Sequence, residues 1–229
     1  MNRSLREVFR FAAIATIALL GTQTGTVLAD EGAPCAPEKM VKIITTAEIP
    51  GAPRDAYARA PKTVYRQGTR YGRVEEGFNP ATNLKLLIVV DEPHLWVANL
   101  AVDKGNYVHD AGPTYYFRAR LFGDGAVNTA FARGLEYGCE VEGMVRAGAK
   151  EKEVKDSSLG PVLRLEAFSD NEKVVLLTGR NHRPLRLELF IDNQLVYVLN
   201  YEDYQSGLAF DKKLFEKPKG VKFDREPAG

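Results

Sequence analysis

The chain has 229 residues, of which 45% are hydrophobic and 27% charged, and its formal net charge at pH 7 is +1. This composition is typical of a globular protein and excludes collagen-like, coiled-coil and wholly disordered chains. Because nucleic-acid-binding surfaces are strongly basic, the near-neutral charge also argues against a nucleic-acid partner.

The first 29 residues have the pattern of a secretory signal peptide. Three arginines precede the apolar run 11–20, and small residues follow as far as Ala29. This run is shorter than the roughly 20 residues that span a bilayer as a helix. We therefore predict export to the periplasm with cleavage near Ala29, which leaves residues 30–229 as a single domain with a net charge of −1.

The predicted mature chain contains two cysteines, Cys35 and Cys139. In an oxidising compartment one disulfide between them is the expected pairing, and two buried unpaired thiols are the alternative. In the loop-entropy model, closing so long a loop stabilises a protein by about 4–5 kcal/mol. Pro34, directly before Cys35, argues against an acylated lipoprotein.

Period-two alternation of apolar residues is the dominant pattern and predicts β-strands. The clearest case is a hairpin in which Pro184–Ile191 and residues 194–201 flank the turn residues Asp192 and Asn193. The same alternation predicts strands at 114–122 and 162–168. Other candidate strands lie at 84–90, 95–100, 174–178, 41–49, 63–66, 70–75, 107–110 and 221–223, with 41–49 also compatible with a short helix. The patterns at 41–49, 63–66, 70–75, 107–110 and 221–223 are weaker than the others, and the predicted total approaches ten strands.

Helical patterns are fewer. Apolar residues in 126–147 are spaced by three or four but interrupted by glycines, which predicts one or two short helices. Asp211 is placed to cap a final turn at 212–215. The charged segment 150–158 is predicted to be an exposed loop.

Together these patterns predict an α+β fold built on a strongly curved antiparallel β-sheet, an unclosed half-barrel, with a few helices covering its concave face. Any part of that face left uncovered would form an apolar pocket.

A search for catalytic motifs predicts no enzyme, no metal site and no cofactor. No serine lies in a G-x-S-x-G frame. His94, His109 and His182 are far apart, without H-x-H or H-E-x-x-H spacing, so a zinc site would depend on the fold bringing them together. The neighbouring carboxylates Glu75 and Glu76 are interpreted as a solvated face.

Two regions resemble lipoprotein carriers of the LolA/LolB type, the outer-membrane lipoprotein-sorting superfamily. The first is Y-R-Q-G-T-R-Y-G-R-V-E at 65–75, followed by L-L-I-V-V-D-E-P-H-L-W-V-A-N-L at 86–100. The second is the closing passage N-Y-E-D-Y at 200–204 with F-D-K-K-L-F-E-K-P-K-G-V-K-F at 210–223. The family's long first helix has no counterpart in the pattern of 35–50.

The resemblance implies a half-barrel with a helical lid over an apolar cavity that binds a lipid moiety and passes it on. By position, Trp96 would lie on the sheet, and Arg70 or Arg73 would take the place of the family's basic residue as a polar gate. Strand parity and the resemblance together nominate the cavity-lining residues Trp96, Tyr115, Phe117, Leu163, Leu165, Leu187, Leu189 and Tyr197.

Three functions are compatible with the sequence. The first is a monomeric, non-catalytic periplasmic carrier whose partner is a lipid or an acylated lipoprotein. The second is an interaction or stress-sensing module on the same scaffold, which would bind an inner- or outer-membrane protein. The third is an enzyme of a kind that the sequence does not reveal.

Overall fold

The computed structural model describes residues 35–53, 56, 59–110, 117–122, 127 and 129–225. The predicted signal peptide, residues 1–29, lies outside this described part. Twelve β-strands make up most of it: β1 (Met40–Glu48), β2 (Lys62–Gln67), β3 (Tyr71–Glu76), β4 (Leu86–Asp91), β5 (His94–Asn99), β6 (Lys104–His109), β7 (Lys150–Asp156), β8 (Gly160–Ser169), β9 (Glu172–Thr178), β10 (Pro184–Ile191), β11 (Gln194–Leu208) and β12 (Lys222–Arg225). Two short helices, α1 (Ala130–Arg133) and α2 (Glu140–Arg146), and a 3-10 helix, Lys212–Phe215, complete it.

The strands form one unclosed sheet in the order β12-β6-β5-β4-β3-β2-β1-β11-β10-β9-β8-β7. All neighbouring strands are antiparallel except β12 and β6, which are parallel. β12 and β7 are the two edges. The prediction of an unclosed, mainly antiparallel sheet with few helices is confirmed, with twelve strands in place of about ten.

The predicted hairpin between β10 and β11 is confirmed. Asp192 and Asn193 have φ values of 50° and 62°, which is the backbone conformation that a tight two-residue hairpin turn requires. Leu187 pairs with Leu199 and Leu189 with Tyr197 across this hairpin. β11 continues well beyond residue 201, because its second half pairs with β1 and joins the two halves of the sheet.

The strand predicted at 114–122 is wrong where the structure describes it. Residues 117–122 form no strand, and only Arg120 makes an isolated bridge, to Glu136. The alternation in this segment has another cause: Phe117, Ala119 and Leu121 are buried against the face of the sheet instead of extending its ladder. When only one side of a segment is buried, apolar residues alternate with polar ones both in a strand of a sheet and in a segment that packs on the face of a sheet.

The exposed loop predicted at 150–158 is also wrong, because residues 150–156 form the edge strand β7. Its sequence K-E-K-E-V-K-D is almost entirely charged. Charged side chains, lysine above all, are typical of edge strands, where they discourage pairing with other chains. The charge that suggested a loop is therefore a property of the edge.

The two faces of the sheet are packed differently. One face, which we call the covered face, carries the main core; its buried strand residues include Ile43, Val64, Val90, Leu165, Val174, Leu176, Leu187, Leu189 and Leu199. Alternate residues of the same strands form two smaller clusters on the opposite face: Leu87, Val89, Trp96 and Ala98 in one, and Val162, Val175 and Leu177 in the other.

The 3-10 helix packs against β3 and β4. It is capped as predicted by Asp211, whose carboxylate accepts a hydrogen bond from Lys213 N at 3.0 Å.

Among the described residues, no helix has the length and apolar character that crossing a membrane would require.

Candidate functional site

The covered face lies beneath residues 117–122 and 129–147, which we call the cover. Within the cover, Leu121 N donates to Leu135 O at 3.0 Å and Tyr137 N donates to Ala119 O at 2.8 Å. The two short helices predicted for this region are confirmed, and α2 packs against β8 and β9. Helices of four and seven residues are too short to be stable alone, so the conformation of the cover depends on its contacts with the sheet.

The apolar part of the interface is closely packed. Phe117, Phe122, Leu135 and Met144 of the cover are buried in one cluster with strand residues of the covered face. The ring of Phe117 lies directly on β3 at Gly72, where a Cβ atom would come within 2.2 Å of the ring. A glycine at position 72 is therefore needed for this approach.

A buried arginine crosses the interface from β2. The side chain of Arg66 is 0% exposed, and it donates to the Glu136 carboxylate at 3.0 Å. It also donates to three main-chain carbonyl groups: Cys35 O at 2.8 Å, Tyr137 O at 3.1 Å and Phe117 O at 3.3 Å. One guanidinium group thus joins the sheet, both segments of the cover and the segment that precedes β1.

Glu136 is the counter-charge of this group. One carboxylate oxygen pairs with Arg66, and the other accepts from Cys35 N at 3.4 Å and lies 3.6 Å from Arg118. Burial lowers the pKa of Arg66 because it removes water from the guanidinium, while the charge of Glu136 opposes this effect. A buried charge of this kind is tolerated only while its partners remain in place.

A second buried carboxylate, Glu140 at the start of α2, faces two tyrosines of β11. The hydroxyl groups of Tyr201 and Tyr204 donate to it at 3.3 and 3.4 Å. Burial raises the pKa of Glu140 to about 7. Burial also raises the pKa of both tyrosines above the usual value, so they remain hydroxyl donors.

Two more polar contacts complete what we call the seam, the set of buried polar contacts between cover and sheet. Thr45 of β1 and Tyr137 share a hydrogen bond of 3.4 Å between their hydroxyl groups. Glu172 of β9 accepts from the backbone N of Thr129 at 3.1 Å and from its hydroxyl group. The seam thus combines the pairs Arg66–Glu136, Tyr137–Thr45, Glu140–Tyr201/Tyr204 and Thr129–Glu172.

The state of Glu140 makes stability depend on pH. Because its pKa in the folded protein is about 7, against 4.5 for an ordinary glutamate, the folded state binds the proton more tightly. The resulting stabilisation is complete below pH 4.5 and is lost as the pH rises to about 7. We expect the Glu140 carboxyl group to make the free energy of unfolding about 2–3 kcal/mol larger at pH 5 than at pH 8.

Denaturant unfolding at both pH values measures this difference, and Glu140→Gln should reduce it. Glu142, on the same helix but 66% exposed, provides the matched control Glu142→Gln, which should leave it unchanged. Burial also raises the pKa of Glu76 to about 7, so part of the dependence should survive in the Glu140→Gln protein. Equal pH dependence in Glu140→Gln and wild type would contradict the assignment.

The structure brings together most of the residues nominated as cavity-lining. Leu165, Leu187 and Leu189 are buried on the covered face, in one cluster with side chains of the cover. Leu163 is half-buried on the same strand as Leu165, and Tyr197 is half-buried with its ring 5.7 Å from that of Phe122. Phe117 belongs to the cover itself.

Two nominated residues do not join this group. Tyr115 lies outside the described residues. Trp96 is buried on the opposite face with Leu87 and Val89, because it has the strand parity of Ala98 and not that of Leu95, which packs against the main core. The described interface is filled by the protein's own side chains at the positions nominated for a ligand.

The arginines nominated as a polar gate lie away from the seam. Arg70 is 62% exposed and 3.7 Å from Glu92. Arg73 pairs with Glu75 and donates to Leu214 O at 3.0 Å. The buried arginine is Arg66, which was not among the residues selected from the sequence. The sequence does indicate its position: Arg66 follows the apolar residue Val64 by two positions in the same strand, so the two side chains point to the same face, which is the core.

The predicted disulfide is confirmed. The sulfur atoms of Cys35 and Cys139 are 2.00 Å apart and close a loop of 104 residues. The bond joins the segment before β1 to the residue that precedes α2. It therefore fixes the cover to the sheet beside Arg66, which donates to the carbonyl group of Cys35.

No family model and no curated protein matches the chain. Three solved structures have a similar arrangement. An uncharacterized conserved protein from Thermus thermophilus is 14% identical over 82% of this chain and 91% of its own, with a TM-score of 0.47. MucB in the MucA/MucB complex of Pseudomonas aeruginosa is 11% identical over 81% of this chain and 58% of its own, with a TM-score of 0.45. A putative outer-membrane lipoprotein-sorting protein domain from Vibrio parahaemolyticus is 12% identical over 77% of this chain and 89% of its own, with a TM-score of 0.33. All three TM-scores are below 0.5.

Proposed function

We propose that this protein is an exported, non-catalytic binding protein that accepts an acyl chain of a lipid or lipoprotein on the covered face of its sheet. The covered face is taken to be the concave side of a half-barrel, and the packed arrangement of cover and sheet is taken to be its closed form. Binding then requires the cover to move away from the sheet, so that the ligand replaces the apolar side chains of the cover.

The observation that carries this proposal is the seam. An interface held only by apolar side chains would lose its whole stabilisation when it opens, because those side chains would meet water. Charged pairs such as Arg66–Glu136 regain hydration on opening, and a buried ion pair contributes little more than a well-packed apolar contact of similar volume. A cover held by polar as well as apolar contacts therefore loses less on opening than a purely apolar interface would, which suits reversible opening.

The apolar face supplies the affinity. Each methylene group that moves from water into an apolar site contributes about 0.8 kcal/mol. Leu165, Leu187 and Leu189 come from strands β8 and β10, with Leu176 of β9 between them, so they form a continuous aliphatic surface. Such a surface binds any acyl chain without hydrogen bonds or ion pairs, which suits a carrier that must also release its ligand.

Export is part of this proposal and is supported by the disulfide. Disulfides persist in oxidising compartments and are rare in the cytosol. The Cys35–Cys139 bond therefore agrees with the periplasmic location expected from residues 1–29.

Native mass spectrometry of protein isolated gently from the periplasm tests the proposal. We expect a bound mass in the lipid range, and saturable uptake of a long-chain lysophospholipid by protein from which that lipid has been removed. Phe168→Ser is the matched control, because Phe168 is 66% exposed on the opposite face and its removal should leave uptake unchanged. Absence of both bound lipid and uptake would overturn the proposal.

A second candidate function is supported by one observation on the opposite face. Phe168, Lys173, Phe190 and Leu195 are cross-strand neighbours on β8 to β11, and Lys173 Nζ lies 4.0 Å above the ring of Phe190. A partly exposed apolar row of this kind is typical of protein-binding surfaces. It favours the envelope interaction module, which would bind a membrane protein of the envelope.

Affinity purification from the envelope distinguishes the two functions. An interaction module should enrich one envelope protein, and Phe168→Ser with Leu195→Ser should abolish that enrichment. Leu165→Ala, on the covered face, should leave the enrichment intact. Loss of enrichment with Leu165→Ala alone, in a protein that remains folded, would contradict this second candidate.

A further inference from the structure

The covered face carries a further ion pair, at the start of β2 and the end of β3. Lys62 and Glu76 are direct cross-strand partners, and Lys62 Nζ lies 3.0 Å from Glu76 Oε1. The side chain of Glu76 is only 6% exposed, so the interpretation of Glu75 and Glu76 as a solvated face is wrong for Glu76. The side chain of Lys62 is 32% exposed and therefore connects the buried carboxylate to the solvent.

A row of apolar side chains on the same face leads to this pair. Its members are cross-strand partners from β8 through β9, β10 and β11 to β1, and all are buried in the main core: Leu165, Leu176, Leu187, Leu199 and Ala47. Lys62 on β2 is the partner of Thr45, two residues from Ala47. Adjacent strands lie about 4.8 Å apart, so the row spans roughly 19 Å before it reaches the charges. It has a length that suits a long acyl chain, and it ends at two opposite charges.

The ion pair has hydrogen-bonding capacity that the folded chain does not use. An ammonium group has three N–H donors, and a carboxylate offers about four acceptor sites. Among the described residues, the buried oxygen Glu76 Oε2 has no hydrogen-bond partner. Burial lowers the pKa of Lys62 and raises the pKa of Glu76 to about 7, because it removes water from both charges. Both groups therefore gain from further partners of opposite charge.

We propose that Lys62 and Glu76 bind the head group of a phospholipid that carries a phosphate and a primary ammonium group, as in phosphatidylethanolamine. This inference rests on the proposed function, since the acyl chain of the same lipid occupies the apolar row. The phosphate accepts from Lys62 Nζ, and the ammonium group donates to the Glu76 carboxylate, including Oε2. Each side chain thus exchanges one partner for another of the same charge, so that neither charge is left unpaired.

The same arrangement discriminates against two related head groups. A phosphocholine group has both charges, but its ammonium nitrogen carries three methyl groups and has no N–H donor for Glu76. A phosphoglycerol group has no positive charge, so a phosphate on Lys62 would leave the Glu76 carboxylate without a counter-charge. A site built to hydrogen-bond a polar group rejects an analogue that lacks it, because the buried groups of the site then stay unpaired.

Competition between three lysophospholipids with the same acyl chain tests the assignment. The protein, freed of bound lipid, is titrated at pH 8, where the Glu76 carboxyl group is mostly ionised. We expect the ethanolamine form to bind at least about tenfold more tightly than the choline and glycerol forms. Glycerophosphoethanolamine, which has the head group but no acyl chain, should not compete.

The outcomes separate this inference from the proposed function. Equal affinities for the three lysophospholipids would overturn the head-group assignment and leave acyl-chain binding in place. Competition by glycerophosphoethanolamine at the same concentration would overturn the assignment to a phospholipid. Failure of all three lysophospholipids to bind would overturn both proposals.

Substitutions in the ion pair locate the head group. Glu76→Gln removes the charge that holds the ammonium group, so the variant should take up the ethanolamine and choline forms equally. Lys62→Met should weaken binding of the ethanolamine form at least about tenfold. Glu75→Gln is the matched control, because Glu75 is the next residue of β3 but is 43% exposed and pairs with Arg73, and it should keep the full preference. Full preference in the Glu76→Gln protein would overturn the proposal, and the wild-type comparison decides the question even if that variant does not fold.

Discussion

Replacing Arg66 with methionine is expected to lower the free energy of unfolding by about 3–5 kcal/mol. The substitution removes the counter-charge of Glu136, whose side chain is only 2% exposed, and leaves three main-chain carbonyl groups without their donor. Among the described residues, Glu136 then keeps only Cys35 N at 3.4 Å and Arg118 at 3.6 Å, and removing one partner of a buried ion pair costs far more than replacing both. For a chain of this size the melting temperature should fall by roughly 6–20 °C. Thermal and denaturant unfolding measure both quantities.

The double variant Arg66→Met/Glu136→Leu separates the loss of a pair from the loss of one partner. If the cost arises from an uncompensated buried charge, removing Glu136 as well should restore much of the lost stability. Arg70→Met is the matched control, because Arg70 follows the same strand but is largely exposed, and a surface change of this kind alters stability by about 0.5 kcal/mol or less. A single Arg66→Met protein as stable as Arg70→Met would contradict the account of the seam.

Removing the Cys35–Cys139 disulfide is the second change with a large expected effect. Reduction, or the double variant Cys35→Ser/Cys139→Ser, should lower the free energy of unfolding by about 4–5 kcal/mol in the loop-entropy model, because the bond closes a loop of 104 residues. The unfolded chain gains most of the freedom, while the folded protein also loses the covalent link between the cover and the sheet. Unfolding with and without a thiol reductant measures the effect.

The comparison of reduced wild type with the double serine variant controls this experiment. The two should agree, and the reductant should have no effect on the variant. Amide hydrogen exchange should accelerate more in α2, directly after Cys139, than in the hairpin β10–β11, which lies far from the bond in the sequence. Equal stability of the oxidised and reduced proteins would show that the bond does not hold the cover.

Much of the sheet could be predicted because its signals are local. The β10–β11 hairpin follows from the alternation of Leu187 and Leu189 with charged residues and from Asp192 and Asn193, which accept the positive φ of a tight turn. The order of the strands in the sheet could not be predicted. The pairing of β11 with β1 joins residues about 155 positions apart, and no local pattern encodes such a contact.

The errors have physical causes that a single sequence does not resolve. Burial of alternate residues at 117–122 imitates a strand although the segment lies across the sheet, and the charges of β7 imitate a loop although they protect an edge. The sequence alone does not single out Arg66, because an isolated arginine in a strand usually faces water. Only the fold shows that Glu136 and three carbonyl groups surround it.

Contact between a bound acyl chain and the covered face distinguishes binding beneath the cover from binding elsewhere on the sheet. Methyl-labelled protein is saturated with a long-chain lysophospholipid, and intermolecular NOEs are recorded from the acyl methylene protons. If the acyl chain binds beneath the cover, we expect NOEs to Leu187 and Leu189 and none to Val175 and Leu177, which lie on the opposite face. We also expect faster amide exchange in the cover on binding. NOEs confined to the opposite face, or a saturated complex in which Leu187 and Leu189 show none, would contradict binding beneath the cover.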